Sequence, residues 1–168
     1  MNASLPVRIA SLAPGLHTLR LTPPAETLGL DPAQFSEVTA DVSLDIGTNQ
    51  IVATVEVSAT AHLVCDRTAV PFDQLVGGTH TVLFTQNAAM VDDDADDDVR
   101  LYGPHDATID LGNAVHDTLL LALPQRRLAP GAEDLDVPTR FGAPDDLDAP
   151  ADDRWDALRR LRDGGTLN

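Results

Sequence analysis

The chain has 168 residues, 43% hydrophobic and only 4% aromatic, which suits one domain with a core of Leu, Val, Ile and Ala and room for an extension. All 11 basic residues are Arg and most of the 27 acids are Asp, for a net charge of −16; this argues against broad binding to a phosphate backbone, where affinity comes from Lys and Arg displacing counterions. One cysteine, Cys65, excludes an internal disulfide, no stretch is apolar for long enough to span a bilayer, and the start MNASLPVRIA lacks a signal peptide's basic and apolar regions, so a cytoplasmic location is expected.

Residues 7–22 hold two alternating runs around Pro14-Gly15, with Val7 and Ile9 before the break and Leu16, Leu19 and Leu21 after it. They predict one or two strands. The segment 23–35 opens a short helix at Pro24 that ends near Gly29. Val42, Leu44 and Ile46 then alternate with polar residues, and 47–50 reads as a turn. Next comes the clearest pattern in the chain. Ile51, Ala53, Val55, Val57, Ala59, Ala61, Leu63 and Cys65 recur at every second position, as one buried face of a long strand requires. After a connection containing Pro71 and Gly77-Gly78, residues 79–85 place Val82 and Phe84 inward, and the three runs make an antiparallel meander.

Residues 92–98, DDDADDD, cannot bury themselves and predict a solvated loop. A calcium loop starting at Asp92 needs Gly at 97 and Glu at 103, where the chain has Asp97 and Gly103. Residues 107–110 suggest a short strand, and 111–123 a core helix whose stripe is Leu111, Val115 and Leu119, widened by Leu120, Ala122 and Leu123, with Asp110 as its cap and Pro124 at its end. From 128 onward Pro, Gly and Asp crowd together without periodicity, the composition of an extended or disordered tail. Within it, 153–165 reads as a short helix: Asp153 caps it, Trp155, Leu158 and Leu161 face one way, Arg159, Arg160 and Arg162 sit near its C-terminus, and Gly164 stops it.

Three segments, in this order, resemble the YceD family, which is tied to accumulation of large-subunit ribosomal RNA. Residues 55–72, VEVSATAHLVCDRTAVPF, are similar to the family's strand ending in Cys-x-Arg-Cys-Leu; 109–124, IDLGNAVHDTLLLALP, to its Leu-Leu-Leu-Ala-Leu-Pro segment; and 153–161, DRWDALRRL, to its closing Asp-Pro-Arg-Trp motif. Cys65 and Arg67 keep half of the first motif, but Thr68 stands at the second Cys. Relatives also carry a cysteine-rich knuckle that looks like a zinc site, whereas 125–150 here contains neither Cys nor His. No metal and no cofactor are expected.

These readings predict an α+β fold, an antiparallel β-sheet or partly closed barrel with one main packing helix, over 1–127, and a flexible acidic tail over 128–168. Cys65 reads as a buried structural thiol, His116 as a surface residue, and Arg67 as the partner of a phosphate or of a carboxylate such as Asp66 or Asp73. No nucleophile is grouped with a base, and no glycine-rich phosphate loop or small-molecule site is recognisable, so an enzyme is not expected. The resemblance implies a ribosome-biogenesis factor that binds a large-subunit precursor or a basic ribosomal or assembly protein. Its expected contacts are Arg67, Arg154, Trp155, Arg159, Arg160 and Arg162, the cationic and aromatic concentrations of the chain. Two alternatives stand beside it: an interaction module for a basic protein partner unrelated to RNA, and a hydrolase or metal-dependent enzyme on a β-barrel scaffold.

Overall fold

The structure, a computed structural model, describes residues 3–91 and 98–135. The chain divides into two units, Met1–Leu135 and Asp136–Asn168. The second lies outside the described residues, and with it the predicted helix at 153–165 and Arg154, Trp155, Arg159, Arg160 and Arg162.

In the first unit, strands β1 (Pro6–Arg8), β2 (Gly15–Leu21), β3 (Phe35–Ile46), β4 (Gln50–Val64), β5 (Pro71–Thr85), β6 (Val99–Leu101) and β7 (Thr108–Asp110) precede helix α1 (Gly112–Leu121). Five of the strands form one sheet in the order β2-β3-β4-β5-β6, antiparallel except for β5–β6. β1 and β7 pair apart, as an antiparallel ribbon. Among the described residues the fold is therefore mostly sheet with one α-helix, and the sheets do not close into a barrel. A helix roof explains why closure is not needed: α1 and the ribbon cover the apolar face that a barrel would bury on itself.

The period of two in β4 does what it predicts. From Ile51 to Cys65 every second residue is at most 2% exposed, and each buried Val or Leu contributes about 2 kcal/mol. β3 is longer than its alternation shows. A bulge between Ser36 and Thr39 adds one residue, with Glu37 in the left-handed region at φ 54°, so that Phe35 and Val38, an odd and an even position, both reach the core. The strand therefore shows no strict alternation across 35–40.

β5 corrects the sequence reading most. Gly77 and Gly78 lie within the strand, in register with Ser58 and Val57, and not in a connection. A side chain at Gly77 would put Cβ 2.4 Å from the Val57 carbonyl oxygen, and one at Gly78 would stand 2.9 Å from the Thr118 methyl of α1. Glycine here permits close approach of neighbouring elements, not a turn. β6 was not anticipated. It is held beside β5 partly by the Leu83 N–H donating to the Asp98 carbonyl at 2.7 Å, while Asp98 also meets His80 Nε2 at 2.7 Å. The rest of the acidic run, 92–97, lies outside the described residues.

The short segment at Ala25–Leu28 is a 3-10 helix, ended by Gly29 at φ 68°, and it buries Ala25 and Leu28. His116 is half-buried and not a surface residue, because its Nδ1 meets the Leu28 carbonyl at 2.8 Å and ties α1 to this turn. α1 starts one residue later than predicted, with Leu111 at the N-cap. Asp110 still serves the first turn: its carboxylate accepts from Gly112 N–H, Leu5 N–H and the Ser4 hydroxyl, each at 2.8 Å. Burial would raise its pKa, but these donors, with Arg100 nearby, hold it below the ordinary carboxylate value.

Candidate functional site

The corner joining β4 to β5 holds the residues that carry the first motif. Cys65 O accepts from Ala69 N–H at 2.9 Å and Cys65 N–H donates to Val70 O at 2.9 Å, closing a tight loop in which Ala69 takes φ 56°. Arg67 leaves this loop towards the chain that follows α1. Its Nη1 donates to the carbonyls of Ala132, Glu133 and Leu135 at 2.8, 2.7 and 2.9 Å. Neither expected carboxylate is its partner. Asp66 accepts instead from Arg127 N–H, and Asp73 is taken by His62. The reason is the carbonyls themselves: Ala132 is buried, converging backbone acceptors need donors, and a guanidinium supplies several from one side chain. Residues 128–135, grouped with the tail by composition, thus include a docked stretch.

Cys65 is buried, as predicted. Its thiol pKa is lowered to about 7, chiefly by the Ala129 N–H and the Thr68 hydroxyl, with the Arg67 and Thr68 N–H groups adding to them against the effect of burial. These donors suit a thiolate. Thr68 stands at the second cysteine of the related motif, and among the described residues no group of three metal-ligating side chains is gathered.

The second feature is the outward face of the five-stranded sheet. α1 covers the other face, so the polar half of each alternating pattern stays in solvent. Register places Arg20, Asp41, Glu56 and Thr79 side by side across β2, β3, β4 and β5. Arg20 grips Asp41 through Nε and Nη2, both at 2.6 Å, and this hydrogen bonding lowers the Asp41 pKa. Among the described residues, nothing forms a hydrogen bond or ion pair with the side chain of Glu56, which stands opposite Asp41. Two hollows of about 350 Å³ each meet at Glu56 and Thr79: one bordered by Thr18, Arg20, Asp41 and Ser43, the other by Ser58, Leu75 and Gly77.

Farther along the same face, Ser36 Oγ meets His62 Nε2 at 2.8 Å and His62 Nδ1 meets Asp73 at 2.6 Å. The connectivity is that of a nucleophile, base and orienting acid, which no sequence spacing revealed. Asp73 is 68% exposed and His62 39% exposed. The three side chains tie β3, β4 and β5 together across this face.

An open sheet roofed on one side by a helix, with a solvated, largely polar outer face, describes a domain of α+β class. Its family is identifiable: the family described as large ribosomal RNA subunit accumulation protein YceD matches residues 53–162, and the chain belongs to it. That description links the family to the large ribosomal subunit. No curated protein and no solved structure matches the chain. Among the described residues no helix is long and apolar enough to cross a membrane.

Proposed function

We propose that this chain is a non-enzymatic cytoplasmic factor that supports accumulation of large-subunit ribosomal RNA by binding a basic ribosomal or assembly protein on the precursor particle. Membership of the YceD family carries the ribosomal part of this reading. The charge of −16 carries the choice of a basic protein over the phosphate backbone. Arg154, Trp155, Arg159, Arg160 and Arg162 remain the contacts proposed on the second unit, since Trp and Arg concentrate binding energy at interfaces. Arg67 acts one step back, by holding residues 132–135 against the corner.

The test is co-sedimentation of the full chain with large-subunit precursor particles from cells. The native chain should travel with them, with RNase treatment separating protein contacts from RNA contacts. Replacing Arg154, Trp155 and Arg159 together with Ala should reduce the bound fraction about tenfold, the loss of one good interface anchor. An undiminished fraction removes that surface, and absence of the native chain from the particles removes the whole reading.

A further inference from the structure

We infer that the outward face of the five-stranded sheet is the docking surface for an arginine-bearing extended segment of a partner protein, with one guanidinium seated on Glu56. The inference rests on the proposed role as a binder of basic proteins and adds a second contact surface to the residues proposed on the second unit. Four observations converge on the place. Among the described residues no element covers this face, since α1 packs on the opposite side. The two hollows adjoin at Glu56 and Thr79, forming a continuous depression that runs across the strands. Gly77 borders the second hollow, and Leu75 in the same lining is 76% exposed, an apolar rest for the stem of a long side chain. Finally, Glu56 stands directly opposite Asp41, and no cation among the described residues pairs with it.

Like charges facing each other across two strands destabilise a sheet. On Asp41 the repulsion is answered by Arg20, whose two-pronged contact shows how this face receives a guanidinium. The matching position on Glu56 is supplied by nothing in the described fold. A planar guanidinium fits a carboxylate in this manner better than an ammonium does. From β2 to β5 the depression crosses three inter-strand gaps, about 14 Å, the length of roughly four extended residues. A second copy of a chain carrying −16 is a poor occupant, and so is a phosphate backbone.

The experiment uses the full chain, isotopically labelled, titrated with a short arginine–serine repeat peptide and separately with a uridine oligonucleotide. The peptide should shift the resonances of Thr54, Glu56, Ser58 and Thr79, with weaker binding as salt increases. Glu56→Gln should weaken the peptide about tenfold, the loss of a charge-assisted pair, whereas Asp117→Asn on α1 should leave it unchanged. Equal losses in both variants would mean diffuse attraction, and the assignment would fall. So it would if the oligonucleotide bound this face, if the face drove self-association, or if Glu56→Gln lowered Tm, which would mark the residue as structural. Co-sedimentation separates this inference from the reading beneath it. If the native chain and Glu56→Gln travel equally with large-subunit precursors, the sheet face is wrong and the ribosomal role stands. If the native chain does not travel, the role falls and the peptide titration alone judges the face.

Discussion

Asp110 joins three parts of the chain through a single carboxylate: the N-terminal residues Ser4 and Leu5, strand β7, and the first turn of α1 through Gly112. The sequence marks it as a cap, and it does cap, but the more distant bond to Leu5 N–H appears only once the chain has folded. Its pKa is depressed in the native state, so the stability it adds is present above the unfolded carboxylate value near 4 and is lost as pH falls through the native value. Asp110→Asn should cost about 1 kcal/mol at neutral pH, discounted for exposure, and should flatten the acid limb of stability. Urea denaturation of both proteins across that pH range measures the difference. A variant that keeps the native acid limb would assign that limb to other carboxylates. Arg67 shows the same limit more sharply. Nothing near it in sequence points to carbonyls 65 to 68 residues downstream.

Among the elements, β4 was fully legible because its pairing on both sides leaves one requirement, alternation, repeated along fifteen residues. β5 was half legible. Local preference assigns Gly77-Gly78 to a turn, yet their function is to let β4 and α1 approach, a demand set by other parts of the chain. The helix stripe holds at Leu111, Val115 and Leu119, all fully buried, whereas Leu120, read as widening it, is 41% exposed and Leu121, outside it, is 85% exposed. Leu119→Ala should therefore cost about 3 kcal/mol by opening a cavity under the roof, while Leu121→Ala should stay within about 0.5 kcal/mol. Thermal or urea unfolding of the two variants tests the packing, and equal costs would show that α1 does not sit on the sheet as described.

At the scale of the whole molecule, −16 in 168 residues is a self-repulsion that the fold does little to cancel. The ion pair between Arg20 and Asp41 lies in solvent, where it offsets little of this charge. Screening should therefore stabilise the protein as a whole. Raising KCl from about 0.1 to 1 M shortens the screening length from about 10 to 3 Å, and Tm should rise by several degrees. A flat response would mean that the acids are spaced too widely to repel one another appreciably. The same screening should weaken a basic partner, so stability and binding are expected to move in opposite directions with salt.

By itself the sequence determined the α+β class, the three central strands, the buried face of β4, the core helix and the family. Each of these follows from a local period or an ordered set of motifs, and burial of one face enforces such a period wherever the chain must pack. Only the tertiary structure decided that the sheet stays open, that two glycines belong inside β5, that Arg67 holds the carbonyls of Ala132, Glu133 and Leu135, and that Glu56 faces Asp41 with no cation from the described residues. These depend on which residues meet across strands and across long stretches of chain, and register carries that information where composition does not.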